Sequence, residues 1–599
     1  MNSILRVDLT TEKMTTQALD EKVMRLVLGG KGLASLILYN ELAPFTNPFS
    51  PEVPLIFAVG PLTGTTAPTA GRLGVFTKSP ATGTILDSYC GGFFGQTMKW
   101  AGYDAIVITG RAASPKVLVI DNDQVRLEPA GDLWGAGTMT ATARLTEKYG
   151  KEFRTAVIGP AAERMAPIAG IFCDLRTAGR GGAGAVMGSK NLKAVAVRGS
   201  GAVTVHNPAL FQEMVWVANR MLRMSSQIQR MKEHGTANIV ELINAAGGLP
   251  TRNFQEGQFE GHKELWGETW TKEYWNESAA CYGCGIGCTK IAMHKKSGVR
   301  IDGPEYETIF ALGSNCGITD REAIIEANHL CDDFGIDTIS VGVIISFVME
   351  LYQRGMVAAA DLDGIEARWG SGDALIALTQ KICRGEGIGA KLEKGVREFS
   401  KNYPGSEDFA MHVKGLEMPG YLPRSAKGVG LSYAISERGA CHLHGSPLSE
   451  LMGGADPLAV LGKASLFKMN QLDTAVIDCA IICYFTKFGF TLKEVWQMVN
   501  PCTGFKYKNP RELERVGERV TTLARMFNVR EGLTVKDDTL PKRCLTQPMA
   551  AGPARGHVVE LGEMRAEYYQ LMGWDVNGIP RSDRVRELQL DKILEIPKG

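Results

Sequence analysis

Three cysteines fall within one short stretch, CYGCGIGC, at Cys281, Cys284 and Cys288, and no other feature narrows the possibilities for this chain as far. Thiolates at such spacings, separated by glycines with little bulk between them, converge on one metal centre, either zinc or an iron–sulfur cluster. A closed site needs a fourth ligand. Apart from His294 no His or Cys follows nearby, so the fourth is expected from far along the chain, and Cys483 in the apolar run AVIDCAIICYFTKFGF is the best candidate. The competing reading is a set of reduced buried thiols, since free cysteine is among the most buried residue types.

With 599 residues the chain exceeds what one core supports, and the pattern divides it into three domains, 1–203, 204–411 and 412–599. A net charge of +1 offers no broad basic face for nucleic acid. The longest apolar stretch, ISVGVIISFVMELY, is too short to span a bilayer, and MNSILRVDLTTEKM lacks the pattern of an export signal. A cytoplasmic protein is expected, in which the 13 cysteines are thiols and metal ligands rather than a disulfide framework.

The first region alternates β-type runs (ILRVDL, VPLIFAVG, YDAIVITG, KVLVI, RTAVIGP, AVAVRG) with glycine-rich turns, which predicts a β-rich domain. Within it, Gly60–Pro80 crowds Gly, Thr and Pro around Arg72 and is expected to be a loop whose amides and guanidinium suit a phosphate. A second glycine-rich stretch, Arg176–Val197, has neither the downstream acid of a dinucleotide fold nor the lysine spacing of a P-loop. Arg176 and Arg180 could still grip an anionic cofactor. From 204 onward, apolar positions three and four apart predict helices. Glu305 and Glu307 precede an apolar segment, where burial would raise a carboxyl pKa and fit it for acid–base work. SERGACHLHGSP gathers Arg438, Cys441, His442 and His444, and a short repeat relates DDFGID (332–337) to DCAIIC (478–483).

Together with GPLTGTTAPTAGR, GGFFGQTMKWAGYDAIV, AGRGGAGAVMGSKNLKAVAV, GPEYETIFALG, IIEANHLCDDFGIDTIS, RGACH and DDTLPKR, these stretches resemble the tungsten-containing aldehyde:ferredoxin oxidoreductase family over essentially the whole chain. The resemblance implies a multidomain α+β fold, a β-rich base under two mainly helical domains. It also implies tungsten, or less often molybdenum, held by the dithiolenes of two pterins, beside one [4Fe-4S] cluster. By position, Cys281, Cys284, Cys288 and Cys483 match the cluster ligands, and Arg72 the arginine between cluster and pterin. Tyr89 and Thr177 match backbone carbonyls on a Mg2+ that bridges the pterin phosphates. Gly91, Arg176, Gly179, Arg180, Arg438 and His444 fall at other cofactor contacts. Asp332, Ile336 and Asp337 match one pterin loop, Asp478, Ile482 and Tyr484 the other, and Glu307 and His442 the acid and imidazole nearest the metal.

The chain departs from the family pattern at three places. Ile481 replaces a common glycine, so the backbone of the second loop is expected to run differently. His444 replaces a lysine, which exchanges a fixed cation for a titrating one. Glu326 and His329 keep an ExxH pair used by some members for an intersubunit iron, but Ile376 stands where the distant histidine would be. No such iron is expected, which leaves open a homodimer without it or pairing with a ferredoxin-like subunit. The implied reaction oxidises an aldehyde to a carboxylic acid and passes electrons through the cluster to ferredoxin. The alternatives are another low-potential reaction on the same scaffold, such as reduction of an aromatic-ring thioester or oxidation of a non-aldehyde, and a non-catalytic electron-transfer or zinc protein. Tyr89 and Cys90, in SYCGG, stand where aldehyde-oxidising members often carry small polar residues.

Overall fold

The computed structural model describes residues 3–174, 176–295, 298 and 300–594. Twelve strands fall in the first 198 residues. β1 (Ser3–Asp8), β2 (Lys13–Ala18), β3 (Leu55–Ala58), β4 (Leu73–Lys78), β5 (Ile85–Cys90) and β6 (Ala105–Thr109) form one sheet. β7 (Lys116–Asp121), β8 (Gln124–Pro129), β9 (Arg154–Val157), β10 (Ile171–Cys173), β11 (Arg176–Ala178) and β12 (Leu192–Arg198) form another. The strand orders are β2-β1-β6-β3-β4-β5 and β11-β10-β9-β12-β7-β8, so β5 and β11 are both edges, and the fold lays these two edges side by side. An edge strand carries backbone groups with no ladder partner on its outer side. Two edges facing each other therefore make a seat lined by main chain.

Beyond Arg198 the chain is mainly helical, with the small sheet β13 (Trp275–Ala279), β14 (Thr289–Met293) and β15 (Arg300–Asp302), whose first hairpin presents the cysteine loop. The expected loop at Gly60–Pro80 is only half a loop. Its second part, LGVFTK, is the wholly buried strand β4, because a β-type run paired on both sides outweighs the turn residues around it. Likewise Arg176–Val197 folds into β11, the helix Ala183–Ser189 and β12.

Apolar packing runs across the expected domain borders. The helix Gly30–Glu41 shares a core with the helices Lys463–Ala480 and Pro510–Arg530. Two Gly-Pro corners make this contact close. After β3, a Cβ at Gly60 would stand 2.0 Å from the Ala480 carbonyl; after β9, one at Gly159 would stand 2.3 Å from the Phe334 carbonyl. Each corner thus seats the end of one helix, and only glycine allows the approach. Gly60→Ala and Gly159→Ala are each expected to cost about 1–3 kcal/mol, the usual penalty of overpacking, read as a lowered denaturant midpoint.

Candidate active site

The two seated helix ends are the two halves of the short repeat. The helix Arg321–Phe334 closes at Gly335 (φ 79°), and the Ile336 N–H reaches back to the Cys331 carbonyl at 2.8 Å. The helix Lys463–Ala480 closes at Ile481 (φ 51°), and the Ile482 N–H reaches back to the Ile477 carbonyl at 3.3 Å. Both ends therefore make the same left-handed cap. The expectation that Ile481 would divert the backbone is corrected: isoleucine takes the glycine conformation. The strain, about 1–2 kcal/mol, is offset by burying its side chain against Gly30 and Gly74, where a Cβ would meet Ile481 at 2.6 and 3.1 Å. In the first half Asp337 then caps the helix Thr338–Gln353, accepting from the Ile339 and Ser340 N–H groups. In the second half Cys483 opens the tight turn Tyr484–Phe488.

Between these ends lies a cavity of about 330 Å³. All four candidate thiols line it: Cys281, Cys284 and Cys288 from the hairpin, and Cys483 from the second loop. Arg72 Nη1 lies 3.7 Å from Cys483 Sγ, and Arg176 Nη2 lies 4.0 Å from Cys288 Sγ. A Cβ at Gly91 would meet Cys281 Sγ at 2.7 Å. Among the described residues no three of these sulfurs come within 4.8 Å of one another. A single tetrahedral zinc holds sulfurs about 3.8 Å apart, closer than any three of these stand here. Burial pushes the Cys284 thiol up to about 11 and Cys288 well up, so loading a metal releases protons. His294 is not part of this group; its Nε2 lies 2.7 Å from Glu326 Oε2 and its ring stacks on His329.

Tyr89, Gly91, Arg176, Thr177, Gly179, Asp332, Ile336, Asp337 and Tyr484 also line the cavity. Tyr89 and Thr177 come from the facing edges β5 and β11. Glu307, in the first turn of the helix Tyr306–Leu312, and His442 form a further wall. Glu307 Oε2 accepts from the Gly420 N–H at 2.9 Å, and its Oε1, 3.6 Å from His442 Nε2, has no hydrogen-bond partner. Burial pushes the Glu307 carboxyl up to about 8. Burial first, then the cations Arg180, Arg438 and His444, hold His442 well below its usual value, so its imidazole is neutral.

Arg180, Arg438, His444, Asp478 and Ile482 sit behind the wall. Arg180 ties the first of these loops to the later chain, donating to the Ala440 carbonyl at 2.9 Å, to the Glu417 carbonyl and to Asp337. Arg438 donates to the Asp87 carbonyl and to Cys441 Sγ at 2.8 Å. His444 stands between Asp87 (2.9 Å from Nε2) and Glu437 (3.0 Å from Nδ1). Burial alone would lower its pKa, yet Asp87 and Cys441 raise it to about 10. The expectation of a titrating group here is therefore corrected: at neutral pH His444 is a fixed cation, as a lysine would be. Its raised pKa contributes stability that is complete below the unfolded value of about 6.5 and is lost as pH climbs toward about 10. His444→Lys should flatten that decline in thermal melts, whereas His444→Gln should destabilise the protein across the neutral range.

Sequence reasoning missed Lys31, Asp87 and Glu437. Lys31 is 4% exposed, and its Nζ lies 3.2 Å from Asp87 Oδ2. Asp87, His444 and Asp478 offer ligand atoms within 4.8 Å, but this ammonium already neutralises Asp87 there. The available signal was a lysine between glycines at the head of an apolar helix, LGGKGLASLIL. Burial raises Asp478 to about 7, and its Oδ2 has no hydrogen-bond partner. Asp302 and Glu305 were also missed as a pair; they hold Arg176 Nη1 at 3.1 and 2.6 Å.

A β-rich base, two matched helix ends, three hairpin thiols joined by a fourth from a distant segment, and an acid–imidazole pair surround one cavity, an arrangement suited to a metal-dependent oxidoreductase. Comparison with known proteins gives the family. Residues 4–199 match the N-terminal domain of aldehyde ferredoxin oxidoreductase and residues 213–590 match its domains 2 and 3; the chain belongs to this family. It is 41% identical to the tungsten-containing aldehyde ferredoxin oxidoreductase of Pyrococcus furiosus over 594 residues, 98% of each chain. It is 32% identical to the WOR-like subunit of an aliphatic sulfonate oxidoreductase from the same organism, covering 98% of this chain and 96% of that one. A solved structure, the BamBC active-site complex of benzoyl coenzyme A reductase with 1,5-dienoyl-CoA, shares the fold. Its TM-score is 0.84 at 23% identity, over 99% of this chain and 97% of that one.

Proposed function

We propose that the chain oxidises an uncharged, apolar aldehyde to the carboxylic acid, with electrons leaving through an iron–sulfur cluster to a ferredoxin. The observation that carries this reading is the pairing of Glu307 with neutral His442 on the same cavity as four thiols. The residues fit a tungsten bis-pterin, or a molybdenum one. Asp302 Oδ1 and His442 Nδ1 line the cavity and are buried without a hydrogen-bond partner among the described residues, so they suit the polar edges of a pterin. The facing edges at Tyr89 and Thr177 suit a Mg2+ between the pterin phosphates. The thiol spacing, too wide for one ion, suits a [4Fe-4S] cluster at Cys281, Cys284, Cys288 and Cys483.

When bound, the cofactor supplies Lewis acidity and a two-electron sink. The protein's part follows from its own groups. The reaction consumes one water, which supplies the second oxygen of the acid, and releases two protons and two electrons. Glu307, in its ionised form, takes one proton as the hydrated carbonyl carbon is oxidised; the other passes to solvent, and the electrons leave one at a time to ferredoxin. His442, neutral and beside it, orients the oxygen by hydrogen bonding. Arg180, Arg438 and His444 keep that imidazole neutral and fix the electrostatics behind it.

The aldehyde reading is favoured over anionic substrates by the apolar part of the lining and by the lack of a free cation among the described residues that line it. Met231, Ile239, Leu443, Leu448, Met452 and Phe488 are apolar. The cations that line the cavity, Arg72 and Arg176, face thiols, and Arg176 is already paired with two carboxylates, so neither is left for a phosphate or sulfonate. Cys90 is buried with its thiol turned to the Gly91 carbonyl, and the Tyr89 hydroxyl donates to Asp87 at 2.8 Å, so neither presents a polar group to substrate. Anaerobic holoenzyme assayed with a viologen dye tests the reading. Activity on aliphatic and aromatic aldehydes with none on sulfonates or acyl thioesters is expected, and the opposite pattern would overturn it.

A further inference from the structure

Two consecutive helices, Pro208–Met224 and Ser226–His234, wall the outer side of the cysteine loop, and the chemistry above uses neither outer face. Their inner residues, among them Val215, Leu222, Ile228 and Met231, share a core with Ile286 of that loop. Two contacts fix the registration. Thr66 donates to Gln212 at 3.1 Å while the nearby Thr69 N–H donates to the Gly283 carbonyl at 3.0 Å. On the other side a Cβ at Gly287 would stand 3.9 Å from Lys232. Gly283 and Gly285 are exposed, and the space beside Gly285 is open.

The outer faces present Trp216, 60% exposed, with Arg220 stacked over its ring at 5.5 Å, and the exposed cations Arg223, Arg230 and Lys232. Among the described residues none of these four cations has a carboxylate within ion-pair distance, so their charge is not cancelled locally. The two helices also carry Glu213 and Glu233, so four cations stand against two acids. An exposed tryptophan under one arginine, on a pair of helices that carries three more exposed cations, has the composition of an interface anchor with an electrostatic guide. The chain as a whole carries only +1, so the charge is local to this face.

We propose that this face docks an acidic one-electron carrier protein, with Trp216 at the centre of the contact and the carrier's redox group set against Gly283 and Gly285. The proposal rests on the cluster assigned above, because this is where the thiol loop reaches solvent.

The test uses the intact holoenzyme and a small acidic two-cluster ferredoxin, with binding followed by calorimetry from low to high ionic strength. Wild-type affinity is expected to fall steeply with salt, since exposed charges are screened within about 10 Å at 0.1 M. Arg220→Glu with Arg223→Glu, and Arg230→Glu with Lys232→Glu, should each weaken low-salt binding by about tenfold or more and flatten the salt dependence. Trp216→Ala should weaken binding at all salt concentrations. Dye-linked aldehyde oxidation and iron content should stay at wild-type levels in all three variants. Reversed variants that bind within about twofold of wild type, or wild-type binding indifferent to salt, would overturn the surface. A wild type inactive on every aldehyde with the dye would instead overturn the proposed reaction, leaving the binding result to judge the surface.

Discussion

Glu307→Gln is expected to lower turnover by roughly two to four powers of ten, the usual share of a positioned base, with the cofactor fully loaded. The amide keeps the shape and can still accept from the Gly420 N–H, so the fold and His442 stay in place. What disappears is the group that takes a proton. The pH profile gives the same group a second signature. Burial holds the Glu307 pKa at about 8, so at neutral pH most of it is protonated and the base form grows as pH rises. In wild type kcat/KM should rise through about pH 8 and level off above it; in the glutamine variant that limb should be gone. A variant with near-wild-type turnover and an unchanged profile would remove Glu307 from the chemistry.

Cys483→Ser is expected to produce a folded protein that has lost its cluster, with iron falling from about four per chain to below about one. The residue is a fair test because it is the one thiol of the four that comes from a distant segment and a different wall. It opens the turn after Ile482, with its N–H donating to Thr69 Oγ1 at 3.2 Å, and a serine can keep that backbone contact. Cys544→Ser, a buried thiol that does not line the cavity, should retain full iron and serves as the control. Metal analysis and the EPR signal of the reduced protein read both. Full iron in the Cys483 variant would show that the thiols do not act as one set.

Some of this was open to reading because the signal was local. Three cysteines at close spacing in one loop face one cavity whatever the rest of the chain does, and the β-type runs of the first region announce its sheets. The repeat at 332–337 and 478–483 was visible but short; it gained meaning only when both segments proved to end helices with the same cap against the same kind of Gly-Pro corner. Two expectations failed for one reason. Ile481 and His444 were judged as residue types, isoleucine as poor in a left-handed position and histidine as a titrating group. Slots at Gly30 and Gly74 accommodate the first, and carboxylates from β5 and position 437 fix the second. Lys31 meets Asp87 across tens of residues and Glu437 across hundreds, separations at which pattern carries no information.

The meeting of β5 with β11 has a consequence for how this protein should be probed. A seat lined by main chain would hold its ligand through backbone groups, so alanine at Thr177 would return near silence over the very ground on which the cofactor is proposed to rest, while alanine at Tyr89 would report only the lost contacts with Asp87 and Phe76. Proline is the informative probe there. It removes the amide and disturbs the strand itself, so the cost would fall on the architecture rather than on any one functional group.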